Sequence, residues 1–150
     1  MELPSELIVK FLEDWCICHF KDTKHAPEAP PHFYVIIPLQ DSNLIISIIT
    51  SQVEKKKKYY EKVNKKALNG LVFLKRGELS FLKREMSVVD CNQAEFLSKT
   101  ELINRINSRF KIKIIERNLS EELKERIQRA ILESPLVRSS IKEALRNEMK

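Results

Sequence analysis

Two of the three histidines, His25 and His32, stand in or at the end of a proline-rich loop that leads into an apolar run. An imidazole titrates near neutral pH, so either side chain could act as a general base or a general acid. Lys24 adds a cation beside the first of them. In the alternative interpretation, His32 only hydrogen-bonds a carbonyl group of the turn. The residues alone leave both interpretations open.

A second cluster of reactive side chains is the Cys-Ile-Cys-His run at residues 16–19. Residues i and i+2 of a strand face the same side, so Cys16 and Cys18 could ligate zinc, with His25, His32 or Cys91 completing the set. The spacing is not a common structural-zinc one, and two small thiols on the inner face of a strand explain it equally well. We therefore expect no metal site, and we expect three free thiols in a reducing compartment.

The basic residues are concentrated in one segment. Between residues 54 and 84 there are eleven Lys and Arg against three acidic residues, a net charge of +8 in a chain whose total is +6. This distribution predicts a surface that faces a polyanion, unless the lysines form only a solvated face. Tyr59 and Tyr60 follow four lysines and cannot both face inward on a helix, so at least one ring is predicted to be exposed, where nucleobases could stack.

The composition sets limits on function and location. With 150 residues, 43% of them hydrophobic and 32% charged, the chain is predicted to form one domain with its own core. Only two glycines are present, which excludes the glycine-rich phosphate loops of Rossmann and P-loop folds. No long apolar run predicts a membrane span, and the N-terminus lacks the basic region of a signal peptide. We therefore expect a cytoplasmic protein without a membrane partner.

Runs of β-branched and aromatic residues predict the strands. The second and third runs are separated by a polar turn of hairpin length and should pair as buried strands. The predicted strands cover residues 16–20, 32–38, 43–50, 71–74, 80–82, 87–90 and 110–115.

Helical periodicity predicts a helix at residues 6–15 with Ser5 as its N-cap, and helices again after Cys91. The first of the later helices has a capping box formed by Ser98 and Glu101 and extends to Phe110. The remaining helices are predicted to begin at Ser120 and at Ser139 or Ser140, the former ending at Ser134.

This order of elements predicts an α+β fold, a small antiparallel barrel or sheet with flanking N- and C-terminal helices. We expect a single domain over residues 1–150, in which the barrel covers about 16–91 and a basic insertion about 52–69. A helical extension over about 98–150 would complete the core, extend a dimer or form a groove for a partner segment.

Four sequence features occur in an order that resembles a known family. They are Pro-Pro-His-Phe-Tyr-Val-Ile-Ile-Pro at 30–38, Ile-Ile-Ser-Ile-Ile-Thr-Ser at 45–51, Met-Ser-Val-Val-Asp-Cys at 86–91 and Ser-Lys-Thr-Glu-Leu at 98–102. The pattern is similar to that of the MazF/PemK-like toxins of type II toxin-antitoxin systems, over residues 32–102. The resemblance implies an SH3-like barrel that forms a homodimer, cleaves single-stranded RNA without a metal or other cofactor, and is neutralised by a cognate antitoxin protein.

Residue by residue, Thr50 and Ser51 match the family's strand-end Thr-Ser, and Ser87 matches its later serine. Metal-free RNA cleavage needs a base near the ribose 2′-hydroxyl, a cation facing the non-bridging oxygens and an acid for the leaving oxygen. In that interpretation His32 or His25 is the base, Thr50 and Ser51 hydrogen-bond the phosphate, and Arg84 or Lys83 stabilises the developing charge. The predicted RNA contacts are Lys24, Lys55, Lys56, Lys57, Lys58, Tyr59, Lys83 and Ser87.

The family's strand-opening arginine is replaced here by Pro31-His32, and no glycine precedes Gly70 where the family has an early Gly-Asp. The missing arginine favours an alternative function, a non-catalytic barrel module that binds RNA or a protein partner.

Overall fold

The computed structural model describes residues 3–150, which form five α-helices, seven β-strands and two short 3₁₀ segments. The strands are β1 (Cys16–Phe20), β2 (His32–Pro38), β3 (Asn43–Thr50), β4 (Leu71–Lys75), β5 (Met86–Asp90), β6 (Glu95–Ser98) and β7 (Lys113–Arg117). The helices are α1 (Ser5–Lys10), α2 (Val53–Val63), α3 (Lys99–Arg105), α4 (Glu121–Glu133) and α5 (Ser139–Glu148). The 3₁₀ segments are Lys65–Gly70 and Cys91–Gln93.

All seven strands pair antiparallel in one sheet, and six of them follow one another in the order β4-β5-β3-β2-β1-β7. Strand β6 pairs with the first half of β3, and β5 pairs with its end. Within residues 3–150 the outer strands β4 and β7 do not pair with each other, so the sheet is open and not closed into a barrel. The prediction of an α+β fold with an antiparallel sheet and flanking helices is confirmed.

The hairpin of β2 and β3 is the centre of the sheet. Its strands begin and end where the sequence predicts, because β-branched and aromatic runs are bounded by Pro38 and a polar turn. Asp41 and Ser42 both have φ of 59°, the left-handed conformation that a tight hairpin turn requires. The register then pairs Phe33 with Ile49 and Pro38 with Leu44.

Helices cover both faces of the sheet. One core cluster joins the β1–β3 side chains to α1 and α3 through Val9 and Leu102, and another joins the opposite face to α4 and α5 through Ile127 and Leu145. A smaller cluster around Tyr60 lies under α2. Burial on both faces explains why β2 and β3 are almost continuously apolar.

The serine caps predicted for the later helices are largely confirmed. Ser98 and Glu101 form the capping box of α3, and the Ser120 hydroxyl accepts a hydrogen bond from Leu123 N at 3.1 Å. Helix α5 begins at Ser139 as predicted, with Arg138 in the cap position. No helix in residues 3–150 has the length and apolar character needed to cross a membrane.

Two helix predictions are too long. Helix α1 ends at Lys10 instead of Trp15, because the chain turns there to pack Leu12 under the sheet and to reach β1. Pro4 is its cap residue, while the Ser5 hydroxyl instead accepts a hydrogen bond from Ile112 N. Helix α3 ends at Arg105, and Phe110 is exposed beyond it.

Two strand predictions need correction, and one strand was not predicted. Residues 80–82 form turns, because the segment folds inward to bury Leu82 without a neighbouring strand. The strand predicted at 110–115 lies at Lys113–Arg117, so the region after residue 98 also contributes a strand to the sheet. Strand β6 was not predicted, because its four residues are too short to alternate clearly.

Candidate functional site

The sheet register brings the predicted active-site residues of three strands to one edge. His32 begins β2, and the position beyond the Phe33–Ile49 pair places it beside Thr50 at the end of β3. Thr50 in turn pairs with Val88 of β5, next to Ser87. The ends of adjacent antiparallel strands therefore bring His32, Thr50 and Ser87 close to one another.

A cavity of about 450 Å³ opens at this edge. We call it the strand-end cavity. Six predicted site residues line it: His32, Thr50, Ser51, Lys83, Arg84 and Ser87. Imidazole, hydroxyl and cationic groups are thus gathered around one space large enough for part of a nucleotide.

His32 has the environment of a neutral imidazole. Burial lowers its pKa below the ordinary value near 6.5, and the positive charges of His25 and Lys21 lower it further. Its Nδ1 is buried without a hydrogen-bond partner. Nε2 is therefore the ring nitrogen that can contact a ligand. At neutral pH the imidazole is uncharged, so it is able to accept a proton from that ligand.

His25 lies behind His32, outside the residues that line the strand-end cavity. The two ring centroids are 5.5 Å apart, and His25 Nε2 is 3.2 Å from the Tyr34 hydroxyl oxygen. Burial lowers the pKa of His25 as well. This geometry lets His25 influence His32 through its charge and its packing.

The hydroxyl and cationic groups of the cavity are free to meet a ligand anion. Thr50 Oγ1 accepts a hydrogen bond from Gln52 N at 3.1 Å, which leaves the hydroxyl proton able to point elsewhere. Lys83 and Arg84 are exposed at the rim, whereas Ser87 is buried in the wall. Such a set of donors suits a phosphate group.

Two aromatic rings form part of the wall of the strand-end cavity. Phe33 and Phe81 both line the strand-end cavity, with their ring centroids 4.4 Å apart. The signal for Phe81 was its position just before Lys83 and Arg84, since an apolar ring beside cations is typical of nucleobase contacts.

A second groove of about 810 Å³ continues from the strand-end cavity and shares Ser51 and Gln52 with it. We call it the lysine groove. Its lining includes Lys55 and Lys57 together with the acidic Glu54 and Glu85. The Lys57–Glu54 pair spans 3.7 Å and is largely exposed, so it holds the lysine only weakly.

The remaining residues of the lysine run have different environments. Lys58 is exposed outside the groove lining, and Tyr59 is 53% exposed, which confirms that one of the two tyrosines faces outward. Lys56 contacts the buried Asp90 carboxylate at 3.0 Å, and the Tyr60 hydroxyl donates to the same group at 2.7 Å. These two contacts hold α2 against β5. The ammonium group of Lys56 therefore has a structural role and does not face the groove as the predicted RNA contact would.

Lys24 also lies outside both cavities, in an ionic network. It pairs with Glu95, which accepts a second hydrogen bond from Arg105 at 2.7 Å, and Arg105 also pairs with the buried Asp22. Burial alone would raise the pKa of Asp22, but the hydrogen bonds from Arg105 and from the Lys24 backbone hold it below its usual value. The network attaches the proline-rich loop to α3.

The side chains of the Cys-Ile-Cys-His run are divided between the two faces of the sheet. Cys16 and Cys18 face the α1 and α3 side of the sheet. His19 projects from the other face, and its ring lies tilted against that of Phe33 with the centroids 4.7 Å apart. Among residues 3–150 there is no group of three or more His, Cys, Asp or Glu that could hold a metal ion. The zinc alternative therefore lacks its remaining ligands.

No protein-family model matches the sequence, and no curated protein matches it.

Proposed function

We propose that this chain is an endoribonuclease that cleaves single-stranded RNA without a metal, of the kind represented by the MazF/PemK-like toxins. The observation that carries the proposal is that His32, Thr50, Ser51, Arg84 and Ser87 line one cavity. They are the groups that such a reaction needs, a base, phosphate donors and a cation. The proposal includes a correspondence of folds, in which the open antiparallel sheet of this chain is a variant of the SH3-like barrel of that family.

In the proposed reaction, His32 Nε2 removes the proton from a ribose 2′-hydroxyl. The 2′ oxygen attacks the adjacent phosphorus, and the bond from phosphorus to the 5′ oxygen breaks. Arg84 and the Thr50 hydroxyl stabilise the charge that develops on the non-bridging oxygens. His32 is the one imidazole among the residues that line the cavity, so the 5′ oxygen takes its proton from water. The products are a 2′,3′-cyclic phosphate and a 5′-hydroxyl.

The direct test is cleavage of a 5′-labelled, unstructured RNA by the purified chain in EDTA. We expect fragments that carry 2′,3′-cyclic phosphate ends, and growth arrest when the chain is expressed without a neutralising partner. An RNA that binds but stays intact under these conditions would favour the alternative, a non-catalytic binding module.

The proposed partners follow from the same family relationship. They are RNA, a neutralising antitoxin protein and a second copy of this chain. Light scattering of the purified protein measures its mass in solution, and a value near 17.6 kDa would rule out the homodimer.

The pH dependence of cleavage is expected to reflect the environment of His32. Because burial lowers its pKa, the imidazole stays neutral as pH falls to its ordinary value of about 6.5. We expect kcat/KM to stay level through neutral pH and to fall only below about 6.5. Circular dichroism over the same range separates loss of the base from unfolding. A rate that already falls between pH 8 and 7 would contradict this assignment.

Charge reversal in the lysine groove is expected to weaken RNA binding. The double variant Lys55→Glu and Lys57→Glu removes two phosphate contacts. The negative slope of log affinity against log salt concentration should therefore become shallower by about 1.4 for single-stranded RNA. The matched control is Lys58→Glu with Lys62→Glu, which changes the net charge equally on the same helix but outside the groove. Equal losses in both variants would mean that only the overall charge matters.

A further inference from the structure

One face of the sheet carries a row of aromatic and basic side chains beside the strand-end cavity. Lys113 of β7 pairs with His19 of β1, and His19 pairs with Phe33 of β2. Phe33 pairs in turn with Ile49 of β3. Directly opposed residues point to the same face of a sheet, so these four side chains lie side by side. The row ends at the strand-end cavity, because Phe33 and Ile49 line it.

Phe81 joins this row from outside the sheet. Its ring centroid is 4.4 Å from that of Phe33, which is itself 4.7 Å from the His19 ring. The segment that carries Phe81 is held to β7 by Ser80, whose hydroxyl donates a hydrogen bond to Glu116 at 2.7 Å. We call the resulting surface the aromatic platform; it consists of His19, Phe33, Phe81 and Lys113.

The platform combines neutral rings with one cation. The three rings are half-buried, and Lys113 is exposed. Burial and the positive charge of Lys113 lower the pKa of His19, so its imidazole is uncharged at neutral pH. Within residues 3–150 no carboxylate pairs with the Lys113 ammonium group. Rings on which bases stack, next to cations that follow the phosphates, are typical of surfaces that bind single-stranded nucleic acid.

The platform and the lysine groove lie on opposite sides of the strand-end cavity. The groove is lined by Phe73 of β4 and Met86 of β5, whereas the platform belongs to β2, β1 and β7. In the strand order β4-β5-β3-β2-β1-β7 the cavity is therefore between them. Strands β3 and β7 are three strand spacings apart, about 14 Å, so phosphates at Thr50 and at Lys113 would belong to different nucleotides.

We propose that the aromatic platform binds a nucleotide that flanks the cleaved bond, on the side of the cavity away from the lysine groove. The inference rests on the proposed function, because it places RNA in the strand-end cavity. The base of this nucleotide stacks on the platform rings, and Lys113 contacts its phosphate. RNA is then held on both sides of the reacting phosphate, which suits cleavage within a chain better than removal of a terminal nucleotide.

The test is binding of a fluorescein-labelled, unstructured 2′-O-methyl RNA, measured by fluorescence anisotropy. This RNA lacks the 2′-hydroxyl that cleavage needs, so its affinity can be measured whether or not the chain is a nuclease. We expect His19→Ala to weaken binding roughly 5- to 100-fold, the usual effect of removing one stacking ring. Lys113→Glu should also weaken binding and make the salt slope shallower by about 0.7, the effect of losing one phosphate contact.

Two further variants test specificity. His19→Phe retains a ring and should bind as tightly as the unchanged chain. Arg146→Glu makes the same change of charge as Lys113→Glu, but on α5, which adjoins β6 at the other end of β3. It should leave the affinity nearly unchanged. The proposal is wrong if His19→Ala and Lys113→Glu bind like the unchanged chain, or if Arg146→Glu weakens binding as much as Lys113→Glu.

Failure of the proposed function gives a different result. If RNA stays intact but His19→Ala and Lys113→Glu weaken binding as expected, the platform is an RNA subsite of a non-catalytic binding module. If the same variants impair binding of a protein partner and leave RNA affinity unchanged, the platform is a protein interface and the proposal fails.

Discussion

Replacing His32 with alanine is expected to lower the rate of RNA cleavage by roughly 10²- to 10⁴-fold, the usual contribution of a general base. The residue lines the strand-end cavity. Its lowered pKa keeps the imidazole uncharged at neutral pH, which is the form that can act as a base. The measurement is single-turnover cleavage with the protein in excess over labelled RNA, which reports the chemical step. RNA affinity should change much less than the rate.

Two variants separate the base from its surroundings. His32→Asn retains a polar side chain but cannot take up the proton, so it should be as slow as His32→Ala with unchanged thermal unfolding. His25→Ala removes the ring that packs 5.5 Å behind His32 and should reduce the rate only moderately. If His25→Ala abolishes cleavage and His32→Ala does not, the base is His25.

Replacing Gly70 with alanine is expected to lower the free energy of unfolding by about 3 kcal/mol, combining overpacking with a disrupted buried hydrogen bond. A Cβ atom at this position would overlap the side-chain amide of Asn92. That amide donates to Ala67 O at 2.8 Å and accepts from the Ser134 hydroxyl at 2.6 Å. If Asn92 moved away, Ala67 O would lose this donor, and the buried Ser134 hydroxyl would lose the acceptor for its proton and keep only the hydrogen bond that it accepts from Leu136 N. Urea unfolding monitored by circular dichroism measures the change.

The other glycine provides the control. Gly77→Ala meets no atom within 4 Å but strains a residue whose φ is +100°, so it should cost about 1 kcal/mol. A double-mutant cycle adds a second check, because in an Asn92→Ala background the overlap is gone and Gly70→Ala should cost little. Additive losses in the two backgrounds would show that Gly70 does not act through Asn92.

The central strands were predictable from sequence because local signals and burial agree there. Strands β1, β2 and β3 have the predicted bounds, since their residues are apolar on both faces and end at polar turns. The capping box of Ser98 and the cap at Ser120 were predictable for a similar reason, because a cap is a local hydrogen bond. Closure into a barrel depends on whether distant strands meet, and no local pattern encodes that.

Several of the predicted site residues lie together around the strand-end cavity, and others do not. Thr50, Ser51 and Ser87 were placed by short motifs at strand ends, and the antiparallel register brings strand ends together with His32. Lys24 could not be placed correctly, because its partner Glu95 lies 71 residues away in the chain. The contribution of Phe81 depends on the fold of an irregular segment, for which hydrophobic periodicity gives no signal.

The pairing of β1 with β7 also has a consequence for synthesis. The partners of Cys16 and His19 are Arg117 and Lys113, roughly a hundred residues later in the chain. At ribosomal elongation rates, β7 is synthesised roughly 5 to 20 s after β1. During that interval an apolar strand presents an unpaired edge to other nascent chains. The yield of folded protein should therefore depend on how well chaperones cover that edge until translation passes residue 117.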